Sequence, residues 1–308
     1  MSEILKHACD ALLMTKDELL TFAFTAPHRY KKYVIRKRNG EGFRLIAQPS
    51  KETKFIQRVV LAKLREMLPI HHCAMAYEKN VGIKLNALHH KDNSYLLKMD
   101  FKDFFPSITP ELFFMVAKDC GLEFSVTDQT FLSSVLFFKS TRKSKLRLSI
   151  GAPTSPFVSN FIMYNFDVQM FAYCSEHKIN YTRYADDVSF STNVQGILFD
   201  MPALVKGNLK EASFNQIKIN PLKTVFSSKA FNRHVTGVVL TNNATLSLGR
   251  DKKRLYAAII HKYSLGLLDD GERQRLKGYL AYSIHIEPDF ILRMRKKYSA
   301  DIIDSIMM

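Results

Sequence analysis

The chain predicts an α+β fold, and three observations predict it. Segments with two-residue alternation and segments with helical spacing are interspersed, without strict strand–helix–strand repetition. The run Tyr95-Leu96-Leu97-Lys98-Met99 ahead of Asp100 is almost wholly apolar, as a buried central strand is. Ile179, Tyr181 and Arg183, then Val188 and Phe190, alternate with smaller or polar residues as two half-buried strands do. Ala185-Asp186-Asp187 falls at their joint, and aspartate is a natural turn residue.

Glu3 to Phe24 has helical spacing and should pack as one or two helices. Tyr33 to Ile46 reads as a basic β-hairpin with Asn39-Gly40 as its turn. After Pro49-Ser50, apolar residues at 55, 56, 59, 60, 61, 64 and 67–68 predict a helix from Lys54 to Met67. Beyond Asp100, Thr109-Pro110-Glu111 offers a capping hydroxyl and then proline at the first helical position, and Leu112 to Ala117 continues the helix. Gly151 to Pro156 is a tight loop, with Ser155 and Pro156 starting a helix Phe157 to Phe171. Leu204 to Ala212 is helical, and Ile217 and Ile219 begin a short strand ending at Asn220-Pro221. Val235 to Leu240 reads as one strand, and Asn242-Asn243 turns into Thr245 to Leu248. From Lys252 onward the chain is helical and basic.

The 308 residues are 46% hydrophobic and 24% charged, enough for one large core or two to three subdomains. A net charge of +16 and a pI near 9.6 point to a polyanionic partner. From His28 to Arg65 twelve Lys or Arg face only Glu41 and Glu52. Lys139, Arg142, Lys143, Lys145 and Arg147 form a second cluster, and Arg293, Arg295, Lys296 and Lys297 a third. Any one such run is usually a solvated face, but three around a carboxylate site favour a groove that follows phosphates. Cys9, Cys73, Cys120 and Cys174 are scattered, which fits reduced thiols better than a disulfide framework or a zinc site. The pairs His71-His72 and His89-His90 lack cysteine partners at metal spacing. The first twenty residues mix charge with apolar residues unlike a secretory leader, and no apolar stretch suggests a membrane span.

Asp100, Asp186 and Asp187 look like a cluster for two divalent metal ions. Two-metal catalysis wants hard oxygen ligands on ions about 3.5–4 Å apart. Magnesium takes only one or two carboxylates and fills the rest with water and phosphate oxygens, so few acids suffice if they are rigidly placed. In so basic a chain this points to a nucleic-acid polymerase. The rival reading is that Asp186-Asp187 is a solvated hairpin tip.

From about Arg29 to Leu248 the chain resembles the reverse transcriptase family. Phe101 to Ser107 after Asp100 resembles the family's first carboxylate motif. Gly151 to Pro156 with Ser159-Asn160 is similar to its nucleotide-binding loop and helix, and Tyr184-Ala185-Asp186-Asp187 to its second carboxylate motif. Asn220 to Thr224 looks like the lysine motif that follows. Asn86-Ala87-Leu88-His89-His90 and Val235-Thr236-Gly237 are similar to two signatures of the retron branch. Where many relatives have Pro-Gln-Gly, this chain has Ser149-Ile150-Gly151, which puts in doubt any side-chain contact of that position with the nucleotide.

The resemblance implies a right-hand polymerase: N-terminal helices and fingers over 1–94, a palm over 95–240 with a finger-like insertion near 118–150, and a short helical thumb over 241–308. That layout leaves no room for an RNase H, protease, integrase or endonuclease domain. It implies transfer of a deoxynucleotide to a sugar hydroxyl with two Mg2+ ions, held by Asp100, Asp186, Asp187 and the Phe101 carbonyl. Arg44, Lys54, Gly151 and Lys223 become candidate nucleotide contacts, with plain surface cations as the rival reading for the three basic residues. Phe105 would sit under the incoming sugar and exclude a ribose 2′-hydroxyl, unless it is simply core. Asn86, His90, Thr236, Gly237, Arg293, Arg295, Lys296 and Lys297 become candidates for RNA or primer contact, with Asn86 alternatively a turn former and His90 a satisfied surface residue. Retron enzymes bind a structured noncoding RNA, prime from the 2′-hydroxyl of an internal guanosine and make a branched RNA–DNA product. The implied setting is bacterial cytoplasm, off the membrane, with a co-encoded effector in anti-phage defence. A group II intron type enzyme, and an RNA-binding scaffold that restrains a toxic partner, are the rival functions.

Overall fold

A computed structural model describes residues 2–37 and 42–308. The expected Asn39-Gly40 turn lies outside the described residues. Helices α1 (Glu3–Leu12) and α2 (Lys16–Thr25) each open on a side-chain cap, from Ser2 and from a reciprocal Thr15–Glu18 capping box. Strands β1 (Tyr30–Arg36) and β2 (Phe43–Pro49) form an antiparallel arm, paired from Tyr30↔Pro49 to Arg36↔Phe43. Helix α3 (Lys51–Met67) starts at Lys51 rather than Lys54, because the Ser50 hydroxyl accepts from Thr53 N.

A short helix α4 (Ile83–Leu88), not expected, carries Asn86. Strand β3 (Tyr95–Lys102) leads through α5 (Phe104–Ser107) into α6 (Pro110–Asp119). Helix α7 (Val126–Leu136), also unexpected, buries Phe131, Leu132, Val135 and Leu136. The single helix expected over 157–171 is two, α8 (Ser155–Ile162) and α9 (Tyr164–Glu176), divided at Met163. Strands β4 (Asn180–Tyr184) and β5 (Asp187–Thr192) form the hairpin foreseen around Asp186, and α10 (Met201–Glu211) follows.

The central sheet is antiparallel, in the order β4-β5-β3. The far edge of β3 is shared by β6 (Lys218–Ile219), opposite Phe101 and Lys102, and β7 (Val225–Ser228), opposite Tyr95 to Lys98. Side chains alternate across a strand. Leu97, Met99 and Phe101 of β3, with Val188 and Phe190 of β5, enter a core shared with α1, α3, α6, α8 and α9. Leu96, Lys98 and Asp100 are in phase on the opposite face. There Leu96 is covered by a second core, while Lys98 and Asp100 line a cavity. Thus β3 is covered by helices on one face and opens to a cleft at the end of the other.

The second core joins α4 to the rest of the chain. The strand expected over 235–240 is instead a hairpin of β8 (Arg233–Val235) and β9 (Val238–Leu240), and β10 (Leu246–Ser247) completes a three-stranded sheet. Thr236 at φ +46° and Gly237 at φ +79° make its turn. Two consecutive positive φ values are what a two-residue hairpin connection requires. Four helices end the chain: α11 (Arg250–Ser264), α12 (Asp270–Ile286), α13 (Pro288–Tyr298) and α14 (Ala300–Met307). Among the described residues no helix is long and apolar enough to cross a membrane.

Candidate active site

The register of the central sheet builds the site. Asp100 of β3 lies directly opposite Asp187 of β5. Directly opposed residues in antiparallel strands have Cβ atoms about 4.5–5.5 Å apart, so two like charges share one small volume. Asp186 sits beside them in the turn, where its carbonyl accepts from Phe101 N at 3.1 Å. Ala185, at φ +57°, makes the reversal.

Beneath the turn lies a buried ion pair. The side chains of Arg183 and Asp167 are both 0% exposed. The Arg183 guanidinium donates to Asp167 at 2.6–3.1 Å, to Asn160 Oδ1 at 3.2 Å and to the Ala185 carbonyl at 3.1 Å. The Tyr181 hydroxyl adds a 2.7 Å bond to Asp167. Burial alone would weaken the guanidinium's hold on its proton, but the Asp167 charge more than reverses that. This network holds the turn residue directly, through Ala185.

Asp100 is 4% exposed and fully engaged. Its Oδ2 accepts from Lys223 Nζ at 2.6 Å and its Oδ1 from Asn220 Nδ2 at 3.1 Å. Lys223 therefore stands on a metal-type carboxylate as well as at the mouth of the cleft. Its proton affinity is raised: desolvation opposes the charge, but the Asp100 hydrogen bond and the three carboxylates outweigh it. Desolvation, then Asp100, raises the Asp186 carboxyl above the usual carboxylate range. Desolvation, followed by Asp186 and Asp100, pushes Asp187 up to about 6, although part of its surface reaches solvent. Such crowding of hard oxygen donors is relieved by a divalent cation. Among the described residues no group of three or more His, Cys, Asp and Glu is arranged to hold a metal ion by itself. Two or three such carboxylates suit a hard divalent cation whose other positions go to water and substrate phosphates.

The other candidates fall into three groups. First, the arm and loop reach the site. The charge of Arg44 acts on Asp186, whereas Lys54 lies in the first turn of α3. Ala47 N donates to the Ile150 carbonyl at 2.9 Å, so at the position where relatives carry glutamine it is the backbone that holds the arm. Gly151 follows at φ +130°, and a Cβ there would stand 2.9 Å from the Ala47 carbonyl oxygen. The Phe101 ring packs against Phe104 and Phe166, and the half-buried Phe105 stacks on Phe104 with centroids 6.0 Å apart.

Second, Asn86 and His90 are not on a surface at all. They are 1% and 0% exposed, which corrects the expectation that they touch RNA. The Thr182 hydroxyl donates to Asn86 Oδ1 at 2.5 Å, so His90 Nε2–H must donate to Thr182 Oγ1 at 2.7 Å. His90 Nδ1 then accepts from the Ser191 hydroxyl, also at 2.7 Å. Asn86 Nδ2 reaches Thr236 Oγ1 at 3.4 Å. The signature is a buried brace between α4, the β4–β5 hairpin and the Thr236-Gly237 turn. That turn, with Lys98, His234, Asp100 and Asp187, lines a cavity of about 510 Å³. Lys98 Nζ and His234 Nε2 are 2.7 Å apart on its wall.

Third, the four thumb cations are not equivalent. Arg293 pairs with Glu287 at 2.8 Å and Arg295 with Asp304, while Lys296 and Lys297 are exposed at the end of α13. Sequence reasoning missed Asp167, Tyr77, Lys98 and His234, and saw Arg183 only as part of an alternating strand. A charged residue in the inward phase of that strand was the available signal.

Residues 35–240 match the family described as Reverse transcriptase (RNA-dependent DNA polymerase). The retron Ec83 reverse transcriptase of Escherichia coli is 43% identical over 279 residues, spanning 90% of this chain and 89% of its own. The retron Ec73 reverse transcriptase of the same organism is 35% identical over 303 residues, spanning 94% and 93%. Among solved structures, a telomerase from Candida tropicalis in complex with a TWJ fragment of telomeric RNA superposes with a TM-score of 0.51 at 13% identity. That match spans 92% of this chain but only 59% of the telomerase chain, and it speaks to fold alone. The chain belongs to the reverse transcriptase family, in its retron branch. It is an RNA-directed DNA polymerase with the polymerase fold that its motifs imply.

Proposed function

We propose that this polymerase copies a structured noncoding RNA starting from the 2′-hydroxyl of an internal guanosine, leaving a branched RNA–DNA product. One observation carries the reading: the opposed carboxylates Asp100 and Asp187 share a cavity with the Thr236-Gly237 turn. A primer nucleotide seated against that turn has its hydroxyl next to the carboxylates. Two magnesium ions held by Asp100, Asp186, Asp187 and the Phe101 carbonyl would lower the pKa of that hydroxyl and neutralise the triphosphate.

The chain's own groups do the rest. Arg44 from the arm and Lys54 from the first turn of α3 hold the triphosphate, and the Gly151 loop supports it through the backbone. Lys223, already protonated on Asp100, steadies the departing pyrophosphate. Phe105 bars a ribose 2′-hydroxyl. Lys296 and Lys297 grip RNA phosphates, with Arg293 and Arg295 available once they leave their acidic partners. The division into 1–94, 95–240 and 241–308 serves as fingers, palm and thumb. The bacterial cytoplasmic setting and the defence role with a co-encoded effector are part of this proposal, as the resemblance to the retron branch implies.

The test is purification of wild-type and Asp186→Asn protein from cells carrying the adjoining noncoding gene. The wild type should retain nucleic acid sensitive to both RNase and DNase, whose DNA is freed by a 2′-5′ debranching enzyme. Asp186→Asn should retain RNA alone. Linear DNA with a free 5′ end, or DNA in both preparations, overturns the proposal.

A further inference from the structure

Tyr77 belongs to none of the motifs, yet its backbone is left-handed, which is uncommon for a bulky side chain. Its φ is +67°. For a bulky side chain that conformation is strained, and it persists only where the surroundings impose it. They do so here. Residues 73–76 run along the outer edge of β4, where Ala74 is bridged in parallel to Arg183. Arg183 N donates to the Cys73 carbonyl at 2.9 Å, and Met75 N donates to the Arg183 carbonyl at 2.7 Å. Asn160 Nδ2 donates to the Ala76 carbonyl at 2.8 Å. Arg183 and Asn160 are also the residues whose side chains meet beneath the Ala185-Asp186 turn. One rigid frame therefore sets both the catalytic turn and Tyr77.

The residue is 45% exposed, so its ring is open to a ligand. It faces Phe105, with centroids 6.5 Å apart and planes inclined by 31°. Burial, then the charge of Asp186, keeps its hydroxyl protonated, and Tyr184, Arg44 and Asp187 also act on it. Tyr77 thus meets the Phe105 ring while its hydroxyl feels the charges of Asp186, Asp187 and Arg44.

We propose that Tyr77 and Phe105 form the two aromatic walls of the site that receives the sugar of the incoming nucleoside triphosphate, making Tyr77 a specificity-determining residue for deoxyribose. This deepens, and rests on, the reading of Phe105 given above. A single wall excludes a 2′-hydroxyl only if the sugar cannot shift away from it. Tyr77, pinned by Asn160 and Arg183, removes that freedom.

The experiment measures single-nucleotide incorporation of a deoxynucleotide and the matching ribonucleotide on an RNA template, using the RNA-bound protein. Loss of one apolar wall in Tyr77→Ala should cut discrimination about tenfold and raise the deoxynucleotide KM. The change should lie in KM, with kcat within about twofold. Tyr77→Phe should restore both. Tyr77→Gly relieves the backbone strain, so it should melt no lower than the alanine variant while discriminating as poorly. Phe105→Ala separates the two ideas. If Phe105→Ala leaves ribonucleotide exclusion intact, the sugar site is elsewhere and both assignments fall. If Phe105→Ala relaxes exclusion and Tyr77→Ala does not, only the Tyr77 assignment falls.

Discussion

Asp167→Asn is the sharpest stability test of the frame under the catalytic turn. The substitution keeps shape and volume but removes the one carboxylate that, among the described residues, pairs with Arg183, whose side chain is 0% exposed. The guanidinium then keeps its charge, with its bonds to Asn160 and Ala185 but no counterion. Breaking a buried ion pair on one side costs about 3–5 kcal/mol. Unfolding entropy is about 2 cal/mol/K per residue, so for 308 residues the melting temperature should fall by about 5–8 °C. Calorimetry and urea titration of the wild type and Asp167→Asn measure this directly. The double variant Arg183→Met/Asp167→Leu removes both charges and should recover most of the loss, since apolar replacement of a buried pair is often neutral. It should not recover polymerisation, because the Ala185 carbonyl has lost its donor. A destabilisation of Asp167→Asn below about 1 kcal/mol would show that the pair does not hold the turn.

Two further predictions concern the brace and the arm. Burial, with a smaller contribution from His89, holds His90 down at about 3. The unfolded chain takes up a proton near pH 6.5 that the folded chain refuses, so this stability is present above 6.5 and is lost as pH falls toward 3. Between pH 7 and pH 5 the wild type should lose about 2 kcal/mol more unfolding free energy than His90→Gln; equal losses in urea titrations would contradict the buried neutral imidazole. Gly151→Ala places a Cβ 2.9 Å from the Ala47 carbonyl oxygen at φ +130°. It should cost about 1–3 kcal/mol and raise the deoxynucleotide KM by displacing the arm that carries Arg44; wild-type melting and KM together would show that the approach is not tight.

Much of the site was legible because its signals are local. The apolar run before Asp100, and the alternation that stops at Ala185-Asp186-Asp187, mark a buried strand and a turn wherever they occur. The helix start at Thr109-Pro110 was open to the same kind of reading, though the Thr109 hydroxyl makes no cap bond, whereas the start after Ser50 was placed three residues late. Errors came where local signals were weak or ambiguous. Val235 to Leu240 is rich in β-branched residues, and a straight strand masks a turn whose one sign is Gly237. Val225 to Ser228 is too short to show a period, so the strand flanking β3 went unseen.

Asn86 and His90 show a different limit. Their sequence spacing marks them as a pair but does not say which way they face. That depends on Thr182 and Ser191, 92 and 101 residues from His90, which enclose it and satisfy both ring nitrogens. Tyr77 is the same case, since its strain is imposed by Arg183 and Asn160 from distant segments. By itself the sequence determined the chemistry: three acids, the strand and turn that carry them, and the family in which they occur. Only the tertiary structure decided that Asp100 opposes Asp187, that the retron signature is a buried brace, and that Tyr77 meets Phe105. Strand register and burial are set by contacts between segments far apart in the chain, and no window along the sequence contains both partners.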